Sequence, residues 1–173
     1  MRGNSIHDNA TLGIDLVPIG VTANDVGDAD DGPNNLQNFP TLTSARSGAG
    51  FTNVQGVLES ISGGTFEIEI FVNAACDPSG NGEGESFLGS ASVTTDATGV
   101  GSFSVITSGN VPIGSSLTAT ATDSDGNTSE FSTCQVVVVG APPGLDTIPT
   151  LGATGLVALA VLLGLVGFLA VRR

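Results

Sequence analysis

The last 23 residues of the chain constrain its fold and its cellular location more than any other stretch. Leu151 to Val171 is a run of 21 residues without a charged side chain, and Arg172 and Arg173 follow it. A helix of that length spans roughly 30 Å, the thickness of the hydrocarbon core of a bilayer. The run therefore predicts one transmembrane helix over 151–173. A buried helix of a larger domain is disfavoured by the terminal position of the run and by the arginines that end it.

The rest of the chain is strongly acidic. All 17 Asp and Glu residues lie at or before Asp146, opposed there only by Arg2 and Arg46, which gives this part a formal charge of −15. The positive-inside rule places the terminal arginines in the cytoplasm, so we expect a single-pass protein of the cell envelope or surface with its acidic body outside. A chain without lysine is also a poor partner for the phosphates of nucleic acid.

Two cysteines, Cys76 and Cys134, are consistent with an extracytoplasmic location. In an oxidising compartment they could form one disulfide, which would stabilise the fold by roughly 4 kcal/mol in the chain-entropy model. The alternative is a pair of free, partly buried thiols. Two cysteines and one distant histidine do not make a zinc site.

Residues 1–19 show a short repeat-like pattern. Ile6, Leu12, Ile14 and Leu16 alternate with polar residues, and asparagines and glycines occupy the turn positions. This pattern predicts one rung of a parallel β-helix. A single rung cannot bury its own apolar face, so we expect further rungs to precede it in a longer protein.

Residues 20–50 read as an acidic connector rich in turn-forming residues. Its carboxylates could simply be solvated, or they could bind Ca²⁺ together with Asn24, Asn34 and Asn35, although their spacing matches no EF-hand loop. A second acidic stretch, Asp123 to Glu130, is explained more simply by a hairpin turn than by Ca²⁺. The candidate calcium ligands of the connector are Asp25, Asp28, Asp30 and Asp31.

Residues 51–139 predict an all-β domain. Thr65 to Asn73 alternates with period two, which places Glu67 and Glu69 on the solvent side and leaves Phe71 as an outward-facing apolar residue. Short strands with turns at this spacing are typical of an antiparallel β-sandwich of immunoglobulin-like type. The predicted strands are Thr52–Ile61, Thr65–Asn73, Phe87–Thr94, Val100–Thr107, Ser116–Asp123 and Ser129–Val139.

No constellation of residues favours catalysis. His7 is the only histidine, and its neighbour Asp8 is merely adjacent in sequence, so a structural or solvent-facing role is expected. Glu67 and Glu69 are spaced like a carboxylate pair, but the chain has no Trp or Tyr to stack on a sugar ring. We therefore expect a protein that is not an enzyme and has no cofactor, with Ca²⁺ as the one alternative.

Several phrases carry a resemblance to a known family. GNSIHDN and LGIDL near the start, NNLQNFPTLTSA, NAACDPSGNGEGESFLG and TATATDSDGNTSEFSTC together resemble the C-terminal module of bacterial CSLREA-type β-helix surface proteins. The resemblance covers about residues 3–139. It implies a β-helix rung followed by a non-catalytic Ig-like sandwich, and it also implies a Cys76–Cys134 disulfide. The alternative is the stalk of a larger carbohydrate-binding adhesin or polysaccharide-degrading β-helix enzyme whose active part lies upstream of residue 1. An extracellular glycan or protein is then the expected kind of ligand.

A Pro/Gly-rich linker, residues 140–150, separates this body from the apolar run. It ends in the tetrapeptide Ile148, Pro149, Thr150 and Leu151. This tetrapeptide, followed by an apolar helix and by Arg172 and Arg173, resembles the IPTL-CTERM sorting signal of Gram-negative bacteria. The resemblance implies the membrane and an exosortase-like processing enzyme as partners, with the helix either retained or removed after sorting.

Overall fold

The computed structural model describes residues 3–140, and these residues form an all-β structure of two four-stranded sheets. The predicted β-sandwich is therefore confirmed at the level of fold class. Within residues 3–140 no helix is long and apolar enough to cross a membrane. The predicted transmembrane helix over 151–173 and almost all of the linker predicted over 140–150 lie outside the described residues.

Eight strands make up the two sheets. The first sheet has the order β5-β2-β1-β8, and the second has the order β4-β3-β6-β7. All neighbouring strands run antiparallel except β1 and β8, which are parallel. The strands are β1 Thr41–Gly48, β2 Phe51–Glu59, β3 Thr65–Asn73, β4 Ser86–Thr94, β5 Val100–Ser108, β6 Ser116–Thr122, β7 Gln135–Val136 and β8 Val138–Val139.

Alternating side chains build the core between the sheets. In β5, Gly101, Phe103 and Val105 are buried while the residues between them are exposed. This period of two is the reason the strand could be recognised in the sequence. Leu58 of β2 and Ile68 of β3 have no exposed surface, and burying side chains of this size contributes about 1.5–3 kcal/mol each.

Strand β1 was not predicted, because Thr41–Gly48 fell inside the expected connector. Its sequence, TLTSARSG, contains few large apolar residues, so its alternation is weak. Leu42 and Ala45 nevertheless face the core, and β1 pairs with β2 over most of its length. Residues 41–48 thus form a strand because they pair with β2 and β8 and bury two side chains, although their intrinsic preference for β-structure is low.

The single strand predicted over Ser129–Val139 is wrong. Residues 129–134 bond to β6 through two main-chain hydrogen bonds, from the N–H of Ser129 to the carbonyl of Ala121 and from the N–H of Ser132 to the carbonyl of Ala119, each at 2.9 Å. They form no regular ladder, because serine hydroxyls accept the return bonds from the N–H groups of β6. Ser129 Oγ accepts the N–H of Ala121 at 3.0 Å, and Ser132 Oγ accepts the N–H of Ala119 at 2.9 Å. Only the two short strands β7 and β8 follow.

The predicted rung over residues 1–19 is not formed as a strand. Residues 3–40 contain no strand, and Ile6 makes one isolated bridge to Gly84, with two backbone hydrogen bonds of 2.8 Å. The segment buries its apolar side chains against the outer face of the second sheet. Ile14, Leu16, Phe71 and Phe131 form a small core there, separate from the main one.

Phe71 faces outward from the main core, as predicted, yet it is buried. It does lie on the outer face of β3, but only 3% of its surface is exposed. Its ring packs edge-on against Phe131, with centroids 5.5 Å apart, beneath the N-terminal segment. The apolar side chain of Phe71 on the outer face of β3 is thus explained by the N-terminal segment, which covers this face and shields it from solvent.

Candidate functional site

Glu69 was predicted on the solvent side of β3, and the structure corrects this. Its side chain is only 6% exposed, and both carboxylate oxygens accept the N–H of Gly3, at 2.9 and 3.1 Å. The side-chain carboxylate of Glu67, two residues earlier, accepts no hydrogen bond from any residue in the range 3–140, although its backbone pairs with β4 and β6. The two glutamates therefore differ in role, and Glu69 holds a backbone amide of the N-terminal segment.

Glu130 performs the same task further along the N-terminal segment. Its carboxylate is buried and accepts the N–H of Leu16 and the N–H of Thr22, each at 2.9 Å. The Thr22 hydroxyl adds a third contact at 3.3 Å. A buried carboxylate needs such donors, since an unpaired one would be costly to remove from water.

A cavity of about 350 Å³ lies between the N-terminal segment and the loop that follows β3. Glu83 divides its oxygens there between the N–H groups of Asp8, at 2.6 Å, and Asn9, at 2.9 Å. His7 is exposed and its Nδ1 lies 2.8 Å from the Asp8 carboxylate. The lining residues are His7, Asp8, Asn73, Ala74, Ala75, Cys76, Asp77, Glu83 and Glu85.

The groups in this cavity are engaged in holding the chain. Hydrogen bonds from the hydroxyl and the N–H of Ser79 lower the pKa of Asp77, which keeps it ionised. Glu85 accepts the N–H of Ala74 at 3.3 Å. The cavity is therefore an acidic cleft whose carboxylates mostly bind backbone amides, a structural use of these groups.

The disulfide between Cys76 and Cys134 is confirmed. The two residues are bonded, with Cα atoms 5.9 Å apart, within the usual range for such a link. It ties the loop after β3 to the segment that leads into β7. The same loop carries Glu83, so the bond fixes the position of one carboxylate that holds the N-terminal segment.

Three of the four candidate calcium ligands come together. Carboxylate oxygens of Asp25, Asp28 and Asp30 lie within 4.8 Å of one another, whereas Asp31 is exposed and outside this group. Oxygen atoms at this spacing could serve as ligands of Ca²⁺, which needs six to eight of them. Asp25 also accepts the N–H of Ala29, at 3.1 and 3.3 Å.

Asp28 is the most constrained of these carboxylates. Ser60 Oγ donates a very short hydrogen bond to it, Gln37 Nε2 donates at 2.7 Å, and the N–H of Asn38 donates at 2.9 Å. Burial raises the pKa of Asp28, and the neighbouring carboxylates of the group add to the rise, while the Ser60 and Asn38 hydrogen bonds oppose it. This carboxylate joins the connector to the end of β2.

The residues after β6 form the tight turn that was favoured over a calcium loop in the sequence analysis. The N–H of Asp123 donates to the carbonyl of Asn127 at 3.0 Å, and the N–H of Gly126 donates to the carbonyl of Asp123 at 3.2 Å. The Asp123 carboxylate caps the turn by accepting the N–H groups of Asp125 and Asn127. Its oxygens are thereby used inside the turn.

The proposed sorting residues lie outside the described part of the chain, and a comparison of sequences supports them. Residues 148–173 match the IPTL-CTERM motif, a C-terminal sorting signal. The match includes Ile148, Pro149, Thr150, Leu151 and the two terminal arginines, and it indicates a location at the cell envelope or surface. No curated protein matches the chain.

Sequence reasoning missed the carboxylates that hold the N-terminal segment. Glu69 was considered as half of a carboxylate pair and Glu130 as part of an acidic turn, but the partners they bind are backbone amides of a distant segment, which leave no pattern in the sequence. The one available signal was Phe71, an apolar side chain on a face otherwise assigned to solvent. It indicated that something covers this face, though not what.

Proposed function

We propose that the chain is a non-enzymatic module displayed outside the cytoplasmic membrane, and that its C-terminal segment both delivers it and is recognised by an exosortase-like processing enzyme. The match of residues 148–173 to the IPTL-CTERM motif is the observation that carries this proposal. The acidic body and the disulfide support it, because disulfides persist in oxidising compartments.

The proposal assigns the body a structural role. Glu69, Glu83 and Glu130 accept backbone N–H groups of the N-terminal segment, so these carboxylates are occupied in holding the chain together. The two-sheet sandwich with its disulfide supports an Ig-like domain, and the apolar run from Leu151 supports a single transmembrane helix. The proposed module has no resident cofactor.

Fractionation of cells tests the sorting role directly. The full chain should be recovered with the envelope, while a chain ending at Thr147 should lose envelope association. A matched control, Thr154→Ser, changes the tail outside the tetrapeptide and leaves the apolar run intact, so it should fractionate with the wild type. Envelope retention of the truncated chain would refute the role of residues 148–173.

Processing is tested by a second variant pair. Pro149→Ala changes the tetrapeptide and should leave an uncleaved chain in cells that contain an exosortase-like enzyme, detected as a higher intact mass. Ala153→Gly, just past the tetrapeptide, is the control and should be processed like the wild type. Equal processing of the two variants would show that the enzyme does not require the tetrapeptide and would refute this part of the proposal.

A further inference from the structure

Among residues 3–140, six of the 13 large apolar residues that are exposed lie at one end of the sandwich. These six, each at least 39% exposed, lie where the β1–β2 turn, the β5–β6 loop and the last strands meet. We call this group the exit-end patch, because the described chain leaves the body there at residue 140. It consists of Phe51, Ile106, Ile113, Val136, Val138 and Val139.

Hydrogen bonds establish that these segments are neighbours. The N–H of Gly140 donates to the carbonyl of Ser47 at 3.0 Å, which fixes the chain beside the end of β1. The N–H of Gly114 donates to the carbonyl of Val137 at 3.0 Å, which brings the loop carrying Ile113 alongside β7 and β8. The segments that carry the exit-end patch are therefore neighbours at one end of the sandwich.

This surface is free of acid in a body with a formal charge of −15. The three stretches that supply it, residues 46–58, 100–122 and 131–140, contain no Asp or Glu. The one charge they carry is the exposed Arg46, which lies opposite Val138 in the β1–β8 ladder. Patches that combine apolar and basic groups in this way are suited to lipid headgroups.

The acids are concentrated elsewhere on the body. At the opposite end, the turns around Asp96 and Asp123 and the group of Asp25, Asp28 and Asp30 surround the ends of β2 and β6. The remaining cluster belongs to the acidic cleft at the second sheet, on the side of the disulfide. This cleft lies closer to the exit-end patch, because its lining residue Asn73 pairs with Ser116 of β6, which in turn pairs with Val136. Contact with a membrane through the exit-end patch keeps the acids of the opposite end in water.

The length of the following chain limits what can cover the patch. Ten residues, 141–150, separate it in sequence from the apolar run, and they can span at most roughly 35 Å. A bilayer that holds the run is thus within reach of the body. A second copy fits less well, since six side chains make a small interface compared with the roughly 800 Å² per partner of a stable dimer, and two acidic bodies repel each other.

We propose that the exit-end patch rests on the headgroup region of the membrane that holds the chain, with a zwitterionic lipid surface as its partner. This inference rests on the proposed function, since it requires a membrane-held chain. The patch orients the body, so that the first sheet's corner faces lipid and the acidic end points away from the bilayer.

Tryptophan fluorescence tests the contact, because the chain contains neither Trp nor Tyr. Ile113→Trp places a reporter in the patch, and Ile61→Trp places a control in the turn between β2 and β3 at the opposite end. The two positions are equally open, with 54% and 51% of the native side chain exposed. The full-length variants are reconstituted in phosphatidylcholine vesicles with ordinary or brominated acyl chains.

We expect the I113W emission to shift to the blue and to lose intensity with brominated lipid, while the I61W emission does neither. Phe51→Trp, a second reporter in the patch, should behave as I113W does and guards against a local folding defect. Absence of quenching in both patch variants, in vesicles that carry the protein, would overturn the contact and leave the proposed function standing.

Flotation of the vesicles separates the two claims. A full-length chain that does not float with the lipid would refute membrane retention and the contact together. A blue shift of I113W without bromine quenching, accompanied by a cross-linked dimer, would show that a second copy covers the patch and would overturn the lipid assignment.

Discussion

Replacing Glu130 with glutamine should loosen the N-terminal segment without unfolding the sandwich. The carboxylate accepts two backbone N–H groups at 2.9 Å, from Leu16 and Thr22, and hydrogen bonds to a charged group contribute about 1.5–3 kcal/mol each. Glutamine keeps one acceptor and turns an NH₂ donor toward the other N–H. We therefore expect a loss of about 2–4 kcal/mol in the free energy that holds the segment.

Hydrogen exchange is the assay that locates this loss. The amides of Leu16 and Thr22 should exchange faster by roughly 30- to 800-fold, the factor that 2–4 kcal/mol corresponds to. Amides of β2 and β3 should be unaffected, because the main core between the sheets is separate from the small core under the segment. Glu67→Gln, which makes the same charge change on β3, is the control and should leave all of these rates unchanged. Equal acceleration in the segment and in the core strands would refute the idea of a separately held segment.

Three further predictions concern stability. Cys76→Ser with Cys134→Ser should lower the free energy of unfolding by about 4 kcal/mol in urea melts, since the bond spans 58 residues, and an unchanged midpoint would contradict this. Burial raises the pKa of Asp28 above 3.8, so the stability contributed by the protonated side chain is full below pH 3.8 and is lost as the pH rises through the raised pKa. The free energy of unfolding of the wild type, relative to that of Asp28→Asn, should therefore fall from pH 3 to pH 7. A difference that stays constant over this range would contradict the prediction. Ca²⁺ should not shift the melting temperature, because the carboxylate of Asp28 already accepts hydrogen bonds from Ser60, Gln37 and Asn38; a rise that chelation reverses and Asp30→Asn abolishes would establish a calcium site.

The sandwich was largely predictable because its central strands alternate clearly. Strand β3 has the predicted bounds, Thr65–Asn73, and β5 differs from its prediction by one residue. Strand β1 was missed because its small polar residues carry little alternation, and burial between neighbours decides its conformation. The stretch after Ser129 was misassigned because serine hydroxyls there replace some of the main-chain bonds of a ladder, and no local pattern distinguishes this arrangement from a regular strand.

The candidate sites were predictable in part. The disulfide followed from the cysteine count and from the resemblance, and the tetrapeptide from Ile148 to Leu151 is a contiguous motif that needs no folding to be read. The group of acidic side chains in the connector was predicted with four members, and the structure brings three of them together, Asp25, Asp28 and Asp30. The carboxylate contacts to the N-terminal segment could not be foreseen, because they join residues 66 to 114 positions apart.

Accessibility of the body in intact spheroplasts shows whether the domain lies outside the cytoplasmic membrane. Spheroplasts that express the full chain are treated with proteinase K and with a membrane-impermeant thiol reagent after reduction. We expect the body to be digested without lysis, and Cys76 and Cys134 to be labelled only after they are reduced. A body that is protected until the membrane is permeabilised, with both thiols already free, would place the domain in the cytoplasm and refute the proposed display outside the membrane.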